Sequence, residues 1–181
     1  MLRGPAGRLR AALWVARVVD ALVGEPTWLY RRLPHPVVAL GALITWLEAR
    51  LLDPGTPRPA QRRAGVLLLL LVAAVAAGAG LALTALLRPL PAGWIIEGAL
   101  MSACLAQRSL LDHVRAVAQG LRASLADGRR AVARIVGRDP ERLDAPGVAR
   151  AAIESLAENL SDGVVAPLFW GVVAGLPGML V

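Results

Sequence analysis

Arg150, Glu154, Glu158 and Asp162 follow one another at four-residue intervals. On a helix this spacing lays a guanidinium and three carboxylates along one slowly drifting stripe. Carboxylates one turn apart repel each other, by about a few tenths of a kcal/mol when exposed, and a cation such as Mg²⁺ or an Arg offsets the repulsion. Ser155 and Asn159 fall on the neighbouring flank, where they could orient a ligand or a metal-bound water. The solvated face of an ordinary amphipathic helix shows the same periodicity. Position favours the chemical reading, because the stripe leads directly into an uncharged stretch from Gly163 onward and so stands at a membrane mouth. The apolar face of this helix is expected at Ala149, Ile153, Leu156 and Leu160.

His35 is the second candidate. It lies in Pro34-His35-Pro36, where two fixed φ angles and the restriction on a residue preceding proline aim the imidazole in one direction. A proton shuttle, a phosphate contact and a metal ligand are the roles open to it, beside a purely structural one. His113, next to Asp112 on a helix, reads as a surface or packing residue. Arg108, Arg130, Arg134, Arg138 and Arg150 form a set suited to bidentate phosphate contacts, and a bias of positive charge near anionic lipid places arginines in the same way.

The elements that position these residues are helical. A helix is expected over 11–23, with Arg17 and Asp20 close enough to pair, and it ends at Gly24-Glu25-Pro26. Residues 37–52 follow as a helix whose apolar part, 37–47, is too short to span a bilayer. Residues 64–87 contain 24 positions without a charge, flanked by Arg62, Arg63 and Arg88, and form the clearest transmembrane segment. Gly78 and Gly80 offer places for another helix to approach.

A second apolar run, 90–106, contains Glu97. If it returns through the membrane as a hairpin, the Arg-rich segments 1–63 and 107–150 both lie in the cytoplasm. Glu97 then sits within the membrane, as a functional group or as one that reaches the interface. Residues 108–125 carry an apolar stripe of Leu110, Val114, Val117, Leu121 and Leu125. Asp127 is the expected N-cap of a short helix ending at Gly137, and a helix over 146–160 precedes a third membrane segment, 163–181, interrupted by Pro167 and Pro177. The fold class is therefore all-α: a polytopic membrane helical bundle with amphipathic cytoplasmic helices, 1–181 forming a single membrane domain.

Composition agrees. Hydrophobic residues make up 56% of the 181, aromatic ones only 4%, and the mean hydropathy is +0.57. Ala, Leu, Val and Gly supply the apolar mass, as suits closely packed membrane helices. The net charge of +7 arises without a single Lys. A phosphate-loop Lys and a Schiff-base Lys are thereby excluded, and Arg, backbone N–H groups or metal must hold any anion. The Arg residues flank apolar runs and form no nucleic-acid motif, so nucleic acid is not an expected partner. One cysteine, Cys104, precludes an intramolecular disulfide and reads as a small buried hydrophobe.

Several pieces, taken in order, form a recognisable series. They are Asp20 with Gly24-Glu25-Pro26; Pro34-His35-Pro36-Val37 with Gly41 and Glu48; Arg108-Ser109-Leu110; and Ile135-Val136-Gly137-Arg138-Asp139. The last and most specific is Arg150-Ala-x-Ile-Glu-Ser-Leu-Ala-Glu-Asn-x-Ser-Asp-Gly-x-Val-Ala-Pro167-Leu-Phe. In these residues the chain resembles the adenosylcobinamide-phosphate synthases of cobalamin biosynthesis. Family members usually have Gly-Asp-Pro where this chain has Gly24-Glu25-Pro26, which keeps the carboxylate. They also continue into a segment containing Asn-Thr-x-Asp-Ser, so the chain corresponds to their N-terminal portion.

The resemblance implies a multi-pass enzyme of the inner (plasma) membrane. Such an enzyme is an ATP-dependent ligase joining adenosylcobyric acid to aminopropanol phosphate, or a related amino alcohol, through an amide bond. It implies His35, Glu154, Glu158, Asn159 and Asp162 as catalytic positions. Glu154, Glu158 and Asp162 are then the expected Mg²⁺ ligands, and Arg108, Arg138 and Arg150 the phosphate contacts. Mg²⁺ and ATP are the implied cofactors. A corrinoid, an amino alcohol phosphate and the lipid bilayer are the implied partners, with further copies of the chain or a C-terminal half beside them. A non-catalytic membrane partner or regulatory protein of the same fold is the competing expectation.

Overall fold

In a computed structural model the described residues are 4–24, 36–53, 55–137 and 139–181, and among them every regular element is helical. Helix α1 covers Pro5–Val23, α2 Pro36–Leu51, α3 Arg58–Leu87 and α4 Gly93–Ser102. Helix α5 covers Gln107–Ala123, α6 Leu125–Val132 and α7 Ala145–Leu160. A π-turn, Ser161–Val165, joins α7 without a break to α8, Ala166–Leu180. Prolines stand in the first turns of α1, α3, α7 and α8, where a missing N–H costs no internal bond.

Among the described residues two cores hold the chain together. Ala12, Leu13 and Ala16 of α1 meet Met101, Leu105, Leu176 and Met179 in one; Val117, Val132, Val148, Ala151 and Ala152 join α5, α6 and α7 in the other. Small residues let the first set of helices approach closely. A Cβ on Gly98 would lie 2.5 Å from the Ala12 carbonyl oxygen, and one on Gly80 would lie 2.5 Å from Cα of Pro177. Gly78 has open space around it instead, so of the two expected contact glycines only Gly80 serves.

Contacts fix the relative directions. Gly98 meets Ala12 and Val15, and the N–H of Gln107 meets Asp20, so α1 and α4 run parallel. Helix α3 is antiparallel to α4, since Leu87 lies by Gly93 and Thr84 by Glu97. Arg8 at the start of α1 donates to the Arg88 carbonyl at the end of α3, 3.0 Å away. The beginning of α1 therefore sits at the opposite end of the bundle from Arg58, Arg62 and Arg63. This corrects the expectation that all of 1–63 shares one side.

Among the described residues two helices are long and apolar enough to cross a membrane, Arg58–Leu87 and Ala145–Leu180, the latter broken at Gly175. At 30 residues α3 is about 45 Å long. Only 11% of its apolar window is buried inside the protein, and Leu69, Leu70 and Leu86 are among its bare side chains. The expected second crossing, 90–106, contains a helix of 10 residues, about 15 Å and half a hydrocarbon core. Residues 103–106 leave the helix as a turn before α5.

The break in the last segment falls at Gly175 rather than at a proline. Its φ of +66° and ψ of −150° end the straight helix. Beyond it the chain folds back, for Gly171 lies against Met179 and Gly178 against the Trp170 carbonyl.

Candidate active site

The carboxylate stripe forms on α7, and its buried side is not the expected one. Val148, Ala151, Ala152 and Ser155 are inside, whereas Ile153 is 66% exposed and Leu160 45%. Helix α7 packs this side against Val117 of α5 and Val132 of α6. Ser155 then uses its hydroxyl to bind the Ile135 carbonyl, 2.5 Å away, at the end of the α6 segment. Asn159 donates to the Ser155 carbonyl at 2.8 Å and to its Oγ at 3.1 Å, so the amide is braced from below.

Arg150, Glu154, Glu158, Asn159 and Asp162 are all exposed. Eight residues separate Glu154 from Asp162, about 12 Å of helix rise, so no single ion reaches all three carboxylates. Among the described residues no three His, Cys, Asp or Glu side chains are grouped to hold a metal. A cage built from Glu154, Glu158 and Asp162 therefore does not fit. Two of them one turn apart suit the usual Mg²⁺ arrangement, in which one or two carboxylates share the ion with substrate phosphates.

The π-turn begins where the stripe ends. Its i→i+5 bonding adds a residue to the turn, and such bulges are frequent at functional sites. The Gly163 carbonyl accepts from the N–H of Ala106 at 3.0 Å, which ties the turn to the α4–α5 junction. At the next residue the N–H of Gln107, first in α5, donates to Oδ2 of Asp20 at 3.0 Å. Asp20 is 2% exposed, a carboxylate placed at a helix N-terminus where an unsatisfied N–H and the helix dipole favour it. The expected Arg17–Asp20 pairing gives way to this contact, and the Arg17 guanidinium lies over the Trp14 ring at 5.6 Å.

Arg108 closes the junction. Its Nη1 donates to the carbonyls of Ala21 (3.1 Å) and Leu22 (3.5 Å), and its Nε to Asp112 at 2.8 Å. That hydrogen bond, with the charge of the guanidinium, holds the Asp112 carboxyl below its ordinary range. Gly24 must be glycine for two reasons. Its φ is +66°, and a Cβ would lie 2.8 Å from Cγ of Arg108. Arg108 thus binds the end of α1 through Nη1 and its own helix through Nε, a use that its expected role in phosphate binding does not include.

Of the other expected residues, His35 and Arg138 lie outside the described residues. Arg130 pairs with Asp127, and Arg134 is exposed. The cap of α6 is Ser124, not Asp127; Ser124 Oγ accepts the N–H of Asp127 at 3.0 Å and donates to its carboxylate at 2.6 Å. Helix α6 ends at Val132, short of Gly137. Asp20 was not among the expected site residues, although a carboxylate inside an apolar helix is the signal that could have marked it. The junction therefore unites segments around residues 20–24, 106–108 and 163, and the carboxylate stripe runs up to it.

Comparison with known proteins gives a consistent picture. The family described as CobD/Cbib protein matches residues 13–181. A cobalamin biosynthesis protein CobD of Sinorhizobium sp is 52% identical over 170 residues, which cover 93% of this chain and 53% of the relative. Proteins of the same description from Brucella suis biovar 1 and Rhodobacter capsulatus are 48% and 51% identical, over 92% and 93% of the chain and 52% and 53% of theirs. The chain spans about half the length of the curated relatives it matches. No solved structure matches.

Proposed function

This chain belongs to the CobD/Cbib protein family, and on that premise we propose that it acts in cobalamin biosynthesis as the N-terminal part of a membrane-bound, ATP-dependent amide ligase. The reaction joins adenosylcobyric acid to aminopropanol phosphate or a related amino alcohol. The observation that carries this reading is the meeting of Asp20, Gln107 and Gly163, three widely separated positions, at the end of the carboxylate stripe. A purely solvated helix face requires no such anchoring.

An amide forms from a carboxylate only after activation. In this reading a corrinoid carboxylate oxygen attacks the γ-phosphorus of ATP, releasing ADP and leaving an acyl phosphate. The amine of the amino alcohol then attacks the acyl carbon, inorganic phosphate departs, and the amine gives up its proton. Arg150 supplies a guanidinium for phosphate oxygens, Glu158 with either Glu154 or Asp162 would hold the nucleotide's Mg²⁺, and Asn159 orients a ligand from its fixed position. Mg²⁺, when bound, neutralises phosphate charge. His35 and Arg138 keep their roles by motif, as proton carrier and phosphate contact. Helix α3 and the uncharged segment from Gly163 onward hold the chain in the inner membrane, with α5–α7 in the cytoplasm.

The test is a reconstitution in lipid with adenosylcobyric acid, aminopropanol phosphate and MgATP, followed by mass spectrometry. One adenosylcobinamide phosphate should appear per ADP and per phosphate. Amide formation without nucleotide consumption would overturn the ligase reading. Corrinoid binding without turnover would favour a non-catalytic membrane partner of the same fold.

A further inference from the structure

The end of the bundle away from the carboxylate stripe contains a pocket of about 490 Å³. It lies among the start of α1, the end of α3, the first turns of α4 and the Gly175 break of α8. Leu9, Leu81, Leu87 and Val173 make its walls apolar. Its polar groups are Arg8, Arg88, Thr84 and Glu97, and they are connected. Arg8 holds the Arg88 carbonyl, Thr84 stands one helical turn before Arg88, and the Thr84 hydroxyl donates to Oε1 of half-buried Glu97 at 2.9 Å. Cationic and anionic side chains thus line the same pocket.

Two guanidiniums suit a phosphate, and the carboxylate suits an ammonium. The pocket opens where the bare apolar surfaces of α3 and α8 end, which gives an occupant with hydrocarbon tails somewhere to place them. We propose that this pocket takes the headgroup of an aminoalkyl phospholipid, phosphate toward Arg8 and Arg88 and ammonium toward Glu97, with its acyl chains along α3 and α8. The inference rests on the membrane placement above, which fractionation of cells tests independently. The same headgroup chemistry occurs in a free aminoalkyl phosphate, and the experiment separates the two sources.

Purified protein is incubated with vesicles of equal parts phosphatidylethanolamine, phosphatidylcholine and phosphatidylglycerol, re-extracted, and the retained lipid read by native mass spectrometry. Phosphatidylethanolamine should be retained over both others. Glu97→Gln should abolish its preference over phosphatidylglycerol, a change of about tenfold or more for a lost charge-assisted contact. Arg8→Ala with Arg88→Ala should lower retention of every phospholipid. Thr84→Ala, which leaves all charges in place, should weaken the preference partly and serves if Glu97→Gln does not fold. Equal retention of the three lipids by the wild type would overturn the proposal, as would an unchanged preference in both the Glu97 and Thr84 variants. Displacement of the lipid by free phosphoethanolamine at the same concentration would also overturn it, since the apolar walls would then contribute nothing.

Discussion

Asp20 and Glu158 are both carboxylates, and burial gives them different work. Asp20 is inside and accepts the N–H of Gln107. Asp20→Ala would leave that N–H without this acceptor, so it should lower unfolding stability by about 1–3 kcal/mol in a melting experiment, whereas Asp20→Asn keeps an oxygen in place and should lose less. Glu158 is exposed on the stripe. Glu158→Gln should leave stability within about 0.5 kcal/mol of the parent while amide formation falls about 100-fold, with partial rescue by added Mg²⁺. A parallel loss of stability and activity would place Glu158 in a structural role. Asp127 titrates in a defined direction: its hydrogen bond from Ser124, then its pairing with Arg130, hold its carboxyl below the ordinary range. The sign follows, because a lowered folded value adds stability that is complete above the unfolded value near 3.8 and is lost as pH falls through the folded one. Acid melting of Ser124→Ala should therefore show a smaller drop between neutral pH and pH 3 than the parent shows.

At the scale of elements, close approach decides which glycines matter. Gly78 and Gly80 lie two residues apart in α3, yet only Gly80 touches α8. Gly80→Val should destabilise the α3–α8 contact by about 1–3 kcal/mol through overpacking, and Gly78→Val should be silent in the same thermal-stability assay. Equal effects would mean that α3 is rotated from its described position. A proline has an analogous consequence at the π-turn. Pro167 has no N–H to offer the Gly163 carbonyl four residues before it, which accepts from Ala106 instead, so the carboxylate stripe and the α4–α5 junction are mechanically one unit. The exposed apolar residues Ile153 and Leu160 beside that stripe arise because α7 buries its small-residue side instead.

For the whole molecule the decisive quantity is direction. Helix α3 carries Arg58, Arg62 and Arg63 to the end where α5–α7 lie, and the start of α1 lies with Arg88 at the other. In a Cys104→Ala background, cysteines at Gln61 and Gln119 should be shielded from an impermeant thiol reagent applied outside intact cells, and cysteines at Ala6 and Ala92 should react. Labelling of Gln61 or Gln119 from outside would refute this arrangement.

Much of this was legible in the sequence because it depends on local order. Uncharged runs, flanking arginines, proline at helix starts and the four-residue spacing of Glu154, Glu158 and Asp162 are properties of neighbours along the chain. They determined the helical class, the long helix through 64–87 and the stripe. The tertiary structure decided what depends on partners distant in sequence. Which side of α7 is buried follows from its packing against Val117 of α5 and Val132 of α6, both distant in sequence. Asp20 turns from its expected neighbour Arg17 to Gln107 because an N-terminal N–H, once buried, requires an acceptor. The halt of α4 after 10 residues is likewise set by packing, whereas the reversal at Gly175 stands two residues before Pro177, which already marked a break in that segment.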